Sequence, residues 1–240
     1  MTLDVIIPIY NEEDTLAELL EKVLASPLRP TVIAVNDGSS DSTPEILRHY
    51  GNRERIRFAS HERNLGKGAA VRTGIGMATG DVVLVQDADL EYDPDDFSSI
   101  LEPFEDPDVM VVYGSRRLNP TNKRCSRMFL LGGASLTWLT NLLYGTGITD
   151  EPTCYKAFRR ELLQSLPLRC MGFEFCPEVT ALVARRGIRI REVPIRYNPR
   201  SRAEGKKIGL SDWFRAVLTL LRYRLLPESS IAARPAGQRG

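Results

Sequence analysis

Asp87-Ala88-Asp89 sets two carboxylates one residue apart, directly after the apolar run Val82-Val83-Leu84-Val85. A short, uninterrupted, β-branched run reads as a buried parallel strand. Open α/β sheets bind ligands beyond the carboxyl ends of such strands. Paired hard oxygen donors in that place suit Mg2+ or Mn2+, with waters and substrate phosphates completing the shell. Asp is also common where strands end, so the motif alone is a weak signal that a solvated acidic turn fits better; it gains weight from what surrounds it.

Three other turns carry polar side chains where ligands bind. Pro8-Ile9-Tyr10-Asn11-Glu12 follows the strand Val5-Ile6-Ile7; Asn11 can cap the next helix, and Pro8 and Tyr10 can edge a pocket for a flat base. Asn36-Asp37-Gly38-Ser39-Ser40-Asp41-Ser42-Thr43 follows a second strand. Gly38 permits a tight turn, Ser40, Asp41 or Ser42 can cap the helix beyond, and Asp37 is placed to accept from a nucleobase N–H. Asn64-Leu65-Gly66-Lys67-Gly68 precedes a third helix. Its glycines suit an anion site or a close-packed loop, and the spacing is neither a P-loop nor a dinucleotide fingerprint.

These turns need elements to hold them. Strand signals at Thr31 to Val35, Ile56 to Ser60, Asp81 to Gln86 and Val109 to Tyr113 alternate with helical spacing at Glu12 to Leu24, Thr43 to Tyr50, Ala69 to Ala78 and Asp93 to Phe104. Such alternation implies parallel strands with crossover helices. Further on, Phe129 to Leu143, Arg159 to Ser165, Glu178 to Arg186 and Asp212 to Arg224 read as helices, and Ile188 to Val193 as an edge strand. Gly187 ends the third of those helices. A single domain is expected over residues 1–227, with a regularly alternating half (1–118), a less regular half ending in the C-terminal helix (119–227), and a disordered tail at 228–240.

Composition narrows the field. The 240 residues are 42% hydrophobic and 26% charged, ordinary for a soluble globular protein. A formal net charge of +1 supplies no global field for nucleic acid, so no nucleic-acid partner is expected. Cys125, Cys154, Cys170 and Cys176 form no CxxC pair, which argues against zinc and against a secreted disulfide framework. No basic region precedes an apolar stretch at the N-terminus, and no run of about 18 apolar residues occurs, so neither a signal peptide nor a membrane span is expected.

Taken in order, Pro-Ile-Tyr-Asn-Glu, Asn-Asp-Gly-Ser-Ser-Asp, Asn-Leu-Gly-Lys-Gly and Asp-Ala-Asp-Leu-Glu resemble family 2 glycosyltransferases of the GT-A fold, in their polyprenyl-phosphate, dolichol-phosphate mannose synthase-like branch. The likeness continues through Gly114-Ser115-Arg116, Thr149 to Lys156, Phe173 to Glu178 and Arg202 to Gly209, roughly residues 3 to 224. It implies an α/β fold with a Rossmann-like, mostly parallel central sheet flanked by helices and a C-terminal amphipathic helix. It further implies an inverting transferase that moves one hexose from GDP-mannose or UDP-glucose to polyprenyl phosphate.

Carried over to this chain, the resemblance implies that Pro8, Tyr10, Glu12, Asp37 and Lys67 line the nucleotide-sugar pocket, with Asp87, Ala88 and Asp89 at its diphosphate end. Asp87, Asp89 and Glu91 would hold Mg2+ or Mn2+; Glu91 stands where many relatives have Gln. Arg116 and Arg127 would meet the acceptor phosphate, and Arg202, Lys206 and Lys207 would hold phosphates of donor or acceptor, because Arg grips phosphate as a fork and Lys as a point charge. Asp89, Arg116 and Asp150 are the expected catalytic set; Asp150 or Glu151 would act as base or order the acceptor loop. The chain departs from the family pattern at Asn36, where an Asp is usual, at Ser42 for a frequent Gly, and in Arg202 to Ile208.

Other readings are weaker. A transferase acting on a hydroxyl acceptor is the runner-up. Absence of Gln-x-x-Arg-Trp counts against a processive synthase, absence of an N-terminal Gly-rich loop against a nucleotidyltransferase, and the intact Asp87/Asp89 pair against a binding module. Trp213, Phe214, Val217, Leu218 and Leu221 form an apolar stripe flanked by Arg215, Arg222 and Arg224, which suits either a membrane surface or packing on the domain. Trp138, Leu139, Leu142 and Leu143 offer a second such contact. The expected location is therefore cytoplasmic and peripheral on the cytoplasmic membrane face, with room for a membrane-protein partner. His49 and His61 show no partner pattern and read as surface residues. Glu174 and Glu178 read as structural acids paired with nearby Arg.

Overall fold

Leu3–Ile9 (β1), Thr31–Asn36 (β2), Ile56–Ser60 (β3) and Val82–Val85 (β4) are the strands expected from the first half of the chain. All four are parallel, and β1, β2 and β4 are buried almost throughout. That burial on both faces explains their continuous Val/Ile/Leu runs. The computed structural model describes residues 1–122, 127–200 and 209–227. Val111–Ser115 (β5), Lys156–Arg159 (β6) and Ile190–Pro194 (β7) complete a seven-stranded sheet of order β3-β2-β1-β4-β6-β5-β7. β6 runs antiparallel between β4 and β5, while β7 pairs parallel with β5 at the edge.

The chain moves from β1 outward through β2 to β3, then returns to place β4 on the other side of β1. This reversal opens a crevice at the carboxyl ends of β1 and β4, where Tyr10 to Glu12 and Asp87 to Asp89 lie. Helices Leu16–Ala25 (α1), Thr43–Tyr50 (α2), Lys67–Met77 (α3), Phe97–Leu101 (α4), Arg127–Tyr144 (α5), Arg160–Ser165 (α6), Phe175–Arg185 (α7) and Leu210–Leu225 (α8) flank the sheet.

Three elements differ from expectation, each for a local reason. α1 begins at Leu16, not Glu12, because Asn11 adopts a left-handed conformation (φ 51°) and its side chain accepts from Ser40 N–H instead of capping a helix. The segment from Asp93 to Phe104 is not one helix: Pro94 and Pro103 break it into two 3-10 turns around α4. β6 went unexpected because Lys-Ala-Phe-Arg shows no strand-like alternation, yet Lys156 is fully buried within it. Gly187 stops α7 as expected, at φ +68°.

α8 is amphipathic and packs on the domain through Ala216, Leu220 and Tyr223. Its fastening is polar: Tyr223 Oη donates to buried Glu178 Oε1 at 2.5 Å. Glu178 also accepts from the backbone N–H groups of Arg169 and Cys170 (2.8 and 2.9 Å). It thus serves a structural role, through two backbone amides and a phenol. The tail at 228–240 lies outside the described residues.

Candidate active site

The turn after β4 presents two carboxylates to two cations from elsewhere in the fold. Lys67, the first residue of α3, places Nζ 2.5 Å from Asp87 Oδ1. Arg200 donates from Nη2 to Asp89 Oδ2 at 2.7 Å and reaches Glu12 Oε2 with Nη1 at 3.5 Å. Burial lowers the Lys67 ammonium, but the Asp87 charge outweighs it and the net shift is upward. Burial and the Asp87 charge push the Asp89 carboxyl up to about 7, against the pull of Arg200. Ala88 contributes its carbonyl, which accepts from Thr15 Oγ1 at 3.0 Å and ties the turn to the start of α1.

This crowding of negative charge and hard oxygen suits a divalent ion. Among the described residues no three His, Cys, Asp or Glu side chains gather to hold a metal by themselves. The fit is therefore a two-carboxylate anchor, Asp87 and Asp89, whose remaining positions belong to waters and donor phosphates, as Mg2+ and Mn2+ prefer. Glu91, expected as a third ligand, uses Oε2 to accept from Tyr197 Oη and Oε1 to accept from Arg200 N–H, both at 2.8 Å. It pins the segment that carries Arg200.

On the nucleotide side, Tyr10 is exposed and Pro8 half-buried at the end of β1. Asp37 is more deeply placed than its expected role requires. Its Oδ1 accepts from Leu65 N–H (3.0 Å) and lies 2.6 Å from His61 Nδ1; its Oδ2 accepts from Gly66 N–H (2.7 Å). His61 also meets Thr73 Oγ1 at 2.9 Å through Nε2, so it is a part-buried bridge and not the freely exposed residue its sequence context suggested. Gly66 and Gly68 serve packing: a Cβ on either would lie 2.4–2.5 Å from a carbonyl of the 170–172 segment. Ala69 N–H is taken by Met171 O, which favours the close-packed loop over an anion site.

On the acceptor side, Arg116 ends β5 with a fork on Asp150: Nε to Oδ2 and Nη2 to Oδ1, both 2.7 Å. Asp150 also accepts from Arg116 N–H at 3.0 Å, and the guanidinium lies 4.9 Å from the Tyr197 ring centroid. Burial raises the Asp150 carboxyl, but the Arg116 charge and hydrogen bonds overcome it and hold it below the usual range. Glu151 is fully buried, which pushes its carboxyl up, with Lys156 opposing. Lys156 donates to Glu151 O at 2.7 Å and sits 3.6 Å from the Tyr113 ring centroid.

A cavity of about 810 Å3 takes in part of both sides, with Asp150 and Glu151 in its wall and Asp89 and Arg200 outside it. Asp87, Lys67 and Arg116 line it, and so do Met128, Leu210 and Trp213. Arg127 opens α5, and its side chain lies outside the described residues, as do Arg202, Lys206 and Lys207. Arg200, His61 and Tyr197 are site residues that sequence reasoning passed over. Arg200 left a faint signal, a lone Arg after Asn198-Pro199 at the exit of the last strand, just before the basic segment.

Comparison with known proteins agrees with the architecture. The family model described as glycosyl transferase family 2 matches residues 4–166. A dodecaprenyl-phosphate galacturonate synthase from Rhizobium johnstonii is 31% identical over 95% of this chain and 69% of its own. A UDP-N-acetylglucosamine–dolichyl-phosphate N-acetylglucosaminyltransferase from Methanococcus voltae is 30% identical over 89% of this chain and 94% of its own. Among solved structures, glucosyl-3-phosphoglycerate synthase from Mycobacterium tuberculosis superposes with a TM-score of 0.73 at 23% identity, covering 95% of this chain and 82% of that one. That synthase has been solved with Mn2+, UDP-glucose and phosphoglyceric acid.

Proposed function

This chain belongs to glycosyltransferase family 2, and we propose that within it the protein moves one hexose from a nucleotide sugar to polyprenyl phosphate, with inversion. One observation carries the reading. One cavity is lined both by Asp87, Lys67 and Arg116 and by Met128, Leu210 and Trp213, of which Met128 and Leu210 are exposed. A phosphate with an apolar tail matches that mixed lining. Relatives that this chain resembles over most of its length act, by their names, on dodecaprenyl or dolichyl phosphate.

The reaction is a single displacement. An acceptor phosphate oxygen forms a bond to the anomeric carbon, the bond from that carbon to the nucleoside diphosphate breaks, and the electron pair leaves with the diphosphate. One displacement inverts the centre. A Mg2+ or Mn2+ ion, when bound at Asp87 and Asp89, supplies neutralisation of charge on the leaving group. Arg116 offers its guanidinium to the acceptor phosphate. The acceptor oxygen is ionised at neutral pH, so no strong base is required, which fits a carboxyl at Asp150 held low by Arg116. Asp150 orients the guanidinium. Lys67 and Arg200 meet the donor diphosphate, and Pro8, Tyr10 and Glu12 border the nucleoside.

The acceptor's tail needs a lipid surface. Leu131, Trp138 and Leu142 on α5 and Phe214, Leu218 and Leu225 on α8 are all more than half exposed. Arg222 and Arg224 follow on α8. Exposed apolar side chains beside basic ones suit peripheral binding to an anionic membrane surface, on the cytoplasmic face where nucleotide sugars are supplied. No helix among the described residues is long and apolar enough to cross a membrane.

A donor screen tests the proposal. Purified protein is incubated with Mn2+ or Mg2+, a short polyprenyl phosphate and GDP-mannose, UDP-glucose or UDP-N-acetylglucosamine, and lipid-linked sugar is followed by mass spectrometry. Lipid product from one donor supports the reading and names the sugar. Metal-dependent donor binding without lipid product, together with sugar transfer to a hydroxyl acceptor, replaces it with the alternative acceptor.

A further inference from the structure

Arg200 occupies an unusual position for a phosphate-binding arginine: its charge is already committed within the protein. Its guanidinium lies 2.7 Å from Asp89 and 3.5 Å from Glu12, bridging the diphosphate-end carboxylate to a nucleotide-side one. Its Nε is buried with no hydrogen-bond partner among the described residues, so the fork is incompletely used there. Its backbone is fixed apart from the side chain, since Glu91 Oε1 accepts from Arg200 N–H and Glu91 O from Asn198 N–H, both at 2.8 Å. The side chain can therefore exchange partners without unfolding the segment that bears it.

From this geometry we infer that Arg200 competes with the divalent metal for Asp89, and that the donor diphosphate relieves the competition by giving the guanidinium a better partner. The inference rests on Asp87 and Asp89 being the metal and diphosphate anchor. A guanidinium in hydrogen-bonding contact with Asp89 Oδ2 opposes a cation at the same oxygen by charge and by occupancy. A diphosphate presents several anionic oxygens to which an arginine fork binds in bidentate fashion, including through that same Nε. Once Arg200 turns to the diphosphate, Asp89 is released to the metal. Metal and nucleoside diphosphate then strengthen each other's binding, and linkage makes the factor the same in both directions. Arg200 is in this sense a coupling residue: direct metal–phosphate contact adds to the cooperativity, and Arg200 supplies the part that the protein itself controls.

The test is Mn2+ binding, read by loss of the free-ion electron paramagnetic resonance signal, with and without GDP or UDP and corrected for Mn2+ held by free nucleotide. Removing Arg200 has opposite effects on the two measurements. Arg200→Ala is expected to bind Mn2+ alone at least about fivefold more tightly than wild type, and to lose a similar factor from the strengthening that nucleotide confers. Arg200→Lys, which keeps the charge, is expected to stay near wild type for Mn2+ alone. Equal or weaker Mn2+ binding by Arg200→Ala, with its thermal unfolding unchanged, overturns the inference. Asp89→Asn separates the underlying site from the coupling. If this variant binds Mn2+ as wild type does, Asp89 is not an anchor and the inference falls with it; if its binding is lost, the Arg200 comparison stands as the test.

Discussion

Asp150→Ala and Arg116→Ala, alone and together, test whether Asp150 works on the substrate or on Arg116. The fork uses two contacts of 2.7 Å and a third from Arg116 N–H at 3.0 Å. Asp150 is 1% exposed in its side chain and Arg116 22%. Removing one partner of such a pair leaves a buried charge uncompensated, which costs about 3–5 kcal/mol, and the part-exposed guanidinium puts Asp150→Ala near the lower end. Arg116→Ala strands the deeper group and lies near the upper end. The double variant strands neither, so urea unfolding should give a coupling of about 2–3 kcal/mol. The acid limb has a definite sign. The folded Asp150 carboxyl titrates below its unfolded value, so its contribution is complete above about pH 4 and is lost as pH falls through the folded value. Kinetics complete the case with Asp150→Asn: a higher acceptor KM and a modest loss of kcat follow from a misaligned Arg116. A loss of about 10^2–10^4 in kcat at unchanged acceptor KM is the signature of a missing general base. That result, or a coupling near zero, would refute the orienting role.

Asp89→Ala is expected to lose at least about a thousandfold in transfer, on the several kcal/mol that a bound metal supplies, with its far-UV circular dichroism and melting temperature close to wild type. Gly38→Ala should destabilise by about 2 kcal/mol or more in urea, because the residue sits at φ +69° and a Cβ would lie 2.3 Å from the Arg63 carbonyl carbon. Tyr223→Phe removes the hydroxyl that fastens α8 to buried Glu178, and should cost about 1.5–3 kcal/mol with faster proteolysis at α8. Phe214→Ser with Leu218→Ser removes two exposed apolar side chains, each worth about 1.5–3 kcal/mol when fully buried in lipid. It should weaken flotation with anionic vesicles at least about tenfold while leaving the unfolding transition in place; unaltered flotation would remove α8 from the membrane interface.

The nucleotide half was legible because β1, β2 and β4 are buried on both faces and so write themselves as apolar runs, with the polar turns between them. Val82 to Val85 announced β4, and Asp87 and Asp89 followed at the carboxyl end where ligands bind. The acceptor half was less legible for reasons that lie in pairing. β6 carries a buried lysine whose charge is met by the nearby Glu151 O and by the ring of Tyr113 on the neighbouring strand, a partner that no local pattern shows. Arg200 is brought to Asp89 across 111 residues of sequence, and His61 to Asp37 across 24. Period and propensity describe one element at a time, so contacts of that span leave no local trace. The apolar stripe read on α8 is not its packing face: Ala216, Leu220 and Tyr223 face the domain, while Phe214, Leu218 and Leu221 of the stripe are exposed.

Three carboxylate–cation contacts mark the candidate site, and they are not alike. Asp87–Lys67 and Asp89–Arg200 keep part of each carboxylate open to solvent, 26% and 13% exposed. Neither has a two-pronged fork on one carboxylate. Asp150–Arg116 does, on a carboxylate 1% exposed. Exchangeable pairs belong where a metal and a diphosphate arrive and leave in every cycle, since their charges must be released at small cost. A fixed pair belongs where one phosphate must be held at a set distance from the anomeric carbon, since misplacement there is costly in rate. The same distinction predicts the response to salt. Raising ionic strength screens the part-exposed donor-side groups more than the buried fork, so donor KM should rise with salt faster than the Asp150–Arg116 coupling falls. A coupling that collapses first would show that the acceptor-side pair is the labile one and reverse this division of labour.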